Sequence, residues 1–394
     1  MNVLYYLGQF PKLSESFVLN EIYELEKQGH DVAVCALGRP EELTHEEYDS
    51  IEAPTFWIDS LGYGDALELL SPAILRPQVL RNALFTTSMS RRAENLLQAK
   101  RCIEFVDGLG LDIDHVHTHL VREYSFGAKH VASHFDVPFT ITAHAVGLYD
   151  EPVGGHVRPL LRSCDRIVTI SEYNATHIRD RFVDDTPIDV VRAGIRPEKF
   201  RPRGTPEPNR ILTVSRFVEK KGLEYGVKAL DEVARQVPDV EYHLVGSGPR
   251  DPEIRSLTDD LGLASNVRFL GHVDDDRLRT EYSEARCFLL PCVVAESGDR
   301  DGIPVALMEA MATRTPPVST TVSGIPELID DGYDGLLVEP RDPEATASAV
   351  LAMLRNDSEW AAYRDRARRK VVNEFNITDE VRKLETVFRK CRSR

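Results

Sequence analysis

The chain has 394 residues, 42% of them hydrophobic, with 48 Lys and Arg against 64 Asp and Glu for a net charge of −16. The length predicts two ordinary domains rather than one, and the acidity excludes nucleic acid as a partner and general adhesion to anionic lipid. No apolar run reaches the roughly 18 residues of a membrane span. The six cysteines are scattered without CxxC pairs, which fits reduced thiols in a cytoplasm better than disulfides or a zinc site. Only 11 of the 48 cations are Lys; acidity with Arg in place of Lys reads as a halophilic source.

The N-terminus has no basic n-region or cleavage site, and "NVLYYL" reads as a first strand rather than a signal peptide. "ESFVLNEIYELEKQG" follows with Phe17, Val18, Ile22 and Leu25 at helical spacing, ending at Gly29. "DVAVCAL" is the next strand. From Pro72 to Arg101 the chain carries six basic residues and one acid among Leu, Ile, Val and Phe. Two readings stand for that stretch: a solvated helix pair, or a basic, apolar face turned toward a membrane surface or a lipid-phosphate acceptor. "HVHTHL", "PFTITAH" and "RIVTIS" continue the strand series to about Ile188. His115, His117 and His119 alternate along one of them, either as metal ligands on one side or as packed or substrate-facing histidines. "RAGIRPEKFRPRGTPEPNR" concentrates Pro, Gly and charge and reads as a linker. A second series then runs through "ILTVSRF", "EYHLVGSG", "VRFLGH", "CFLLP", "PPVST" and "GLLVE" with helices between. The pattern is α/β, two doubly wound halves with parallel sheets, whose ligands bind beyond the carboxyl ends of the strands in the cleft between the halves.

The chemically suggestive positions fall at those strand ends. Arg216 and Lys221-Gly222 follow "ILTVS", and two cations beside helix N-terminal amides suit a phosphate or diphosphate, although two surface cations are the plainer reading. Gly246-Ser247-Gly248-Pro249 is open enough for backbone to approach a ligand, but it is not GxGxxG and does not support a nicotinamide site. Gly302-Ile303-Pro304, ahead of Val305 and "ALMEAMA", puts free amides at a helix start, with Pro304 in the first turn. Asp301 on the loop and Glu309 on the helix can each accept hydrogen bonds from polyols. Asp299-Arg300-Asp301 is also a DxD, a metal-site pattern that arises by chance in so acidic a chain.

Taken together, "DGIPVALMEAMA…TPPVSTTVSGIPELI" resembles the glutamate-x7-glutamate motif of retaining glycosyltransferases of family 4, which have the GT-B fold. "LVGSGP", "NVRFLGHV" and "LLP" match further family blocks in order. "FPKLSESFVLNEIYELEKQGHDV", "HVHTHL", "PFTITAH" and "DRIVTISEYN" are similar to the branch that makes colanic acid and amylovoran. The resemblance implies an N-terminal acceptor domain over residues 1–195, a donor domain over 196–374, and a terminal helix of about 375–394 packing back on the first. It implies a hexosyltransferase that moves a sugar from a UDP- or GDP-linked donor, with retention and without metal. Arg216 and Lys221 would neutralise the leaving diphosphate, Glu309 would hold the ribose, and Asp301 and His144 would face the transferred sugar. Gly302, Ile303, Pro304, Val305, Gly246, Gly248 and Gln9 would line the donor, with Ser14 and Ser16 as further polar contacts. His119, Arg76, Arg81, Arg91 and Arg92 would meet a glycan or lipid-phosphate-linked acceptor at the cytoplasmic membrane face. The chain departs from the family in carrying Asp301, one methylene shorter, where Glu is usual, and in a first loop that reads "GQFPKLSES" in place of Gly-Gly. A nucleotide-sugar epimerase of the same fold and a silent nucleotide-sugar-binding subunit are the alternatives.

Overall fold

The structure, a computed structural model, describes residues 1–40, 46–58, 89–150 and 152–392. It divides into two compact units: Met1–Arg192 with the C-terminal segment from Ile377, and Ala193–Asn376.

The first unit is built on a seven-stranded parallel sheet of order β3-β2-β1-β4-β5-β6-β7. Its strands are β1 (Asn2–Gln9), β2 (Asp31–Gly38), β3 (Thr55–Trp57), β4 (His115–His119), β5 (Phe139–Ala143), β6 (Arg166–Thr169) and β7 (Ile188–Val190). The central strands are buried along nearly their whole length, as strands covered by helices on both faces must be. Helix Ser16–Lys27 buries Val18, Leu19, Ile22 and Leu25 in one cluster with Val381, Leu384, Val387 and Phe388 of the C-terminal helix Ile377–Arg392.

The second unit has a six-stranded sheet of order β10-β9-β8-β11-β12-β13. Its strands are β8 (Arg210–Val214), β9 (Glu241–Val245), β10 (Val267–Gly271), β11 (Cys287–Leu290), β12 (Pro317–Thr320) and β13 (Leu336–Val338). In both sheets the strand order reverses, between β1 and β4 and between β8 and β11. Loops that leave such a pair part in opposite directions and open a crevice at the carboxyl ends.

The segment read as a linker is folded into the second unit. The Ile195 N–H donates to the Phe375 carbonyl at 2.9 Å, and Phe200 meets Tyr282 edge-on with ring centroids 6.1 Å apart. Both of these apolar side chains are buried, and the Lys199–Asp275 ion pair at 2.7 Å holds the stretch as well.

One buried group makes the first unit sensitive to acid. Both ring nitrogens of His130, on helix Ser125–Phe135, are buried without partners. Burial, helped by the Lys129 charge, lowers its pKa to about 4. An unfolded histidine titrates near 6.5, so between those values the unfolded chain binds more protons and stability falls as pH drops. At pH 5 this linkage costs about 2 kcal/mol. His130→Leu should therefore unfold at a higher temperature than the wild type at pH 5, with the gap narrowing toward pH 7.5. A gap that did not change with pH would mean that His130 is not held neutral.

Candidate functional site

In the second unit the candidate residues converge on the loops that leave β8, β9 and β11. The β8 loop turns through Glu219–Lys221 into Gly222, whose φ of 64° and position leave no room for a side chain: a Cβ there would lie 1.9 Å from the Pro291 carbonyl oxygen. This close approach brings the β8 loop against the β11 loop, where the Val293 N–H donates to the Lys220 carbonyl at 2.9 Å. Gly246, at φ 114°, does the same on the other side, where a Cβ would sit 2.0 Å from the Ser215 carbonyl oxygen. The Phe217 N–H donates to the Ser247 carbonyl at 2.9 Å, so Gly246 and Gly248 flank a segment laid directly along the β8 loop.

The charges at this junction are paired. Lys221 Nζ lies 2.6 Å from Asp301 Oδ2, and Lys220 Nζ lies 3.0 Å from Asp299 Oδ1 and 3.7 Å from Asp301 Oδ1. Burial opposes the charge on Lys221, but the Asp301 carboxylate outweighs it and the ammonium pKa is raised. Burial likewise pushes Asp301 up, yet Lys221 and Lys220 outweigh it and hold the carboxyl below its ordinary value. Both groups therefore stay ionised at neutral pH. The Cys292 thiol donates to Asp301 Oδ2 at 3.5 Å, and burial followed by the Asp301 charge pushes its pKa up, so it remains a thiol. Arg216 is exposed at the end of β8 and its side chain makes no hydrogen bond or ion pair among the described residues, although its charge opposes that of Lys221.

Glu309 lies on helix Val305–Ala312, where the Tyr282 hydroxyl donates to Oε2 at 2.7 Å. Burial, then the Glu309 charge, raises the Tyr282 pKa well above its usual value, which keeps the phenol a donor that orients the carboxylate. The helix opens one residue later than the sequence implied: Pro304 precedes it in extended backbone, and Val305 is its first residue. Proline suits that place too, because its fixed φ carries the chain into the helix and no amide is lost. Ile303 is buried in the core, and the Gly302 carbonyl accepts the Gly324 N–H at 3.2 Å, so any ligand contact from these two passes through backbone.

In the first unit, His119 ends β4 and His144 follows β5, with His119 Nδ1 3.1 Å from His144 Nε2. His119 Nε2 is 3.0 Å from Glu21 Oε1, which also accepts the Tyr5 hydroxyl at 2.6 Å. His115 and His117 are packed residues. Thr140 Oγ1 lies 2.8 Å from His115 Nε2 and 2.7 Å from His117 Nδ1, Thr142 Oγ1 lies 3.0 Å from His117 Nε2, and Phe388 covers both rings. Glu21, His117 and His119 together bring three potential metal-ligand atoms within 4.8 Å of one another. Gln9 spends its amide on the Arg39 carbonyl at 3.1 Å. Ser14 lies in the short turn Leu13–Glu15, and Ser16 opens the helix after it. Arg91 pairs with Glu94 at 2.8 Å and lies 3.6 Å from Glu123. Arg92 is on the same helix, Met89–Leu109, while Arg76 and Arg81 lie outside the described residues.

Sequence reasoning missed Lys220, Tyr282, Cys292, Glu21 and Tyr5. Lys220 was the one within reach, as the neighbour of Lys221. The others meet their partners only in the folded chain, across sequence separations from the nine residues between Cys292 and Asp301 to the 98 between Glu21 and His119.

The chain is 30% identical over 95% of its length to a protein of Escherichia coli K12 described as a colanic acid biosynthesis glycosyltransferase, WcaL, and it covers 96% of that protein. The pattern described as "Glycosyltransferase Family 4" matches residues 14–199, and that of "Glycosyl transferases group 1" matches residues 208–356. The chain is a family 4 glycosyltransferase. The amylovoran biosynthesis glycosyltransferase AmsK of Erwinia amylovora is 29% identical to this glycosyltransferase over 98% of the chain and 99% of AmsK. A GDP-mannose-dependent phosphatidylinositol monomannoside mannosyltransferase of Mycolicibacterium smegmatis is 27% identical over 56% of the chain and 61% of its own length. The fold is GT-B: the chain superimposes on a sucrose-phosphate synthase of Thermosynechococcus elongatus with TM-score 0.76 at 18% identity, covering 100% of both chains. The Anabaena protein HepE, solved with UDP-glucose, gives TM-score 0.75 at 15% identity over 98% of this chain and 99% of its own.

Proposed function

We propose that this glycosyltransferase moves a sugar from a UDP- or GDP-linked donor to a hydroxyl of a lipid-phosphate-linked glycan during surface polysaccharide synthesis, with retention and without a metal. The observation that carries the reading is the Lys221–Asp301 pair, 2.6 Å apart beside Lys220, at the strand reversal of the second unit. It keeps a cation fully charged in a largely buried place, and an arriving diphosphate can take that cation over from the carboxylate. Arg216, exposed and with its side chain in no ion pair among the described residues, is the second cation for the leaving group, supported by the amides of Gly302, Ile303 and Val305. Each such donor is worth about 3 kcal/mol of transition-state stabilisation. Glu309, oriented by Tyr282, takes the ribose hydroxyls. Asp301 and His144 meet the transferred sugar, and Gly246 and Gly248 let backbone approach the nucleotide.

Asp299 and Asp301 form the DxD, but both carboxylates already face ammonium groups. The protein's own cations thus stand where a divalent metal would otherwise neutralise phosphate. On the family's pattern no carboxylate serves as nucleophile, so a front-face displacement gives retention, with the acceptor proton passing to the departing diphosphate. The names of WcaL and AmsK support a polysaccharide product. HepE with UDP-glucose supports a uridine donor, and the GDP-mannose-dependent mycobacterial relative supports a guanosine donor and a lipid acceptor. Arg91, Arg92 and His119 are the acceptor-side candidates. Among the described residues no helix is long and apolar enough to cross a membrane. The contact with the inner membrane face proposed here is peripheral.

The test is incubation with radiolabelled UDP- and GDP-sugars and lipid-linked or soluble acceptors, followed by assignment of the product anomer. Transfer to the lipid-linked acceptor with the donor's anomeric configuration is expected. An isomerised nucleotide sugar, or binding without turnover, would replace the reading with an epimerase or a silent subunit.

A further inference from the structure

We propose that Leu120 is a specificity residue for the acceptor, laying its side chain against the C–H face of a sugar ring. This rests on the glycosyltransferase reading above and adds a substrate contact to it. Leu120 follows His119 at the carboxyl end of β4, beside the reversal of the first sheet between β1 and β4. Its φ is 70°, in the left-handed region. Among the described residues Asp136, Arg314, Ser323 and Arg341 also reach positive φ without being glycine, but Leu120 is the one apolar side chain in the set. A bulky side chain there crowds its own backbone, and such strain persists only where the surroundings impose it.

The surroundings do impose it. The Leu120 N–H donates to the Thr142 carbonyl at 3.0 Å, which extends the β4–β5 ladder by one residue. The Leu120 carbonyl accepts the Arg122 N–H and the Ser125 hydroxyl, each at 3.1 Å, and the Tyr124 hydroxyl donates to the His119 carbonyl at 2.9 Å. Bonds on both sides of the Leu120 Cα thus hold the turn. Its local result is that Val121 is fully buried in the core of the first unit. Leu120 does not join that core: it is only partly buried, and it packs into none of the apolar clusters among the described residues. A glycine would make the same turn without strain. A leucine in its place puts apolar surface at a strand end, where this fold class binds its ligands.

The neighbours indicate which apolar surface it suits. His119 precedes it, and Arg122 lies 3.6 Å from Asp150 with both side chains half-exposed. One apolar side chain flanked by hydrogen-bonding groups matches a pyranose, whose C–H faces are rimmed by hydroxyls. A prenyl or acyl chain would desolvate those polar groups without satisfying them. His144, at the end of β5, is assigned to the transferred sugar, which leaves Leu120 for the acceptor ring beside His119.

Steady-state kinetics and thermal unfolding of the full-length protein, Leu120→Gly and Leu120→Met test the contact. The acceptor probes are the methyl glycosides of glucose, galactose and mannose, and the same three sugars carried on farnesyl diphosphate. Leu120→Gly should melt no lower than the wild type, because glycine relieves the left-handed strain. Its acceptor KM should rise about tenfold on free and lipid-linked sugars alike, while the donor KM holds. Leu120→Met, which keeps an apolar side chain, should recover most of that loss. A lower melting temperature for Leu120→Gly would make Leu120 a packing residue, and an unchanged acceptor KM would remove the contact. A defect confined to the lipid-linked probes would move Leu120 to the lipid chain, and a raised donor KM would move it to the transferred sugar; each overturns the proposal. Those failures leave the functional reading standing, whereas a wild type that transfers to none of the probes takes both down.

Discussion

Lys221→Ala lowers kcat at least about tenfold, or roughly 1.4 kcal/mol, and on the order of a hundredfold if the ammonium is a full donor to the leaving diphosphate. Arg216→Ala shows a loss of the same order. The two variants differ in what else they disturb, and that makes the pair informative. Removing Lys221 leaves Asp301 with the Cys292 thiol and, as its one ion-pair partner among the described residues, Lys220 at 3.7 Å, so part of its effect can come from an under-compensated carboxylate. Removing Arg216 disturbs no ion pair among the described residues, so its effect on turnover reads the substrate directly. Steady-state kinetics on both variants, with thermal unfolding as the folding control, is the measurement. A folded Arg216→Ala with wild-type kcat would remove that residue from the diphosphate.

The second large effect separates Glu309 from Asp301. Glu309→Ala should weaken free nucleoside diphosphate and whole donor alike, by about tenfold to a hundredfold, the usual worth of a hydrogen bond to a charged group. Asp301→Ala should spare the free nucleotide, or tighten it, because Lys221 and Lys220 lose the carboxylate that competes with phosphate for them. Only the sugar-bearing donor should suffer. Calorimetric titration with both ligands reads the split, and equal losses for both ligands in both variants would contradict it.

The fold was legible because most of the parallel strands are short apolar runs between turn residues, and burial on both faces favours that pattern. The site was legible where its residues are consecutive at one strand end, as Arg216, Lys221 and the segment Asp301–Glu309 are. It was not legible where the sheet brings distant residues together. Nothing near Glu21 in sequence signals that its carboxylate will meet a histidine 98 residues away. Nor does the sequence around Asp299 and Asp301 announce two lysines against them. Seen alone those carboxylates resemble a metal pair; with Lys220 and Lys221 in place they are an ion-pair network. The stretch read as a linker opens where the chain passes from one unit to the next, at Arg192–Ala193, but its Pro, Gly and charge did not signal that Ile195 and Phe200 bury the rest in the second unit.

The central claim is that protein cations do the work of a metal on the departing diphosphate, and the direct measurement is the rate of sugar transfer after exhaustive chelation. Activity undiminished in excess EDTA, and unchanged when magnesium or manganese is added back, is the predicted result. Turnover lost in EDTA and restored by either metal would contradict it, and would make Asp299 and Asp301 metal ligands rather than partners of Lys220 and Lys221.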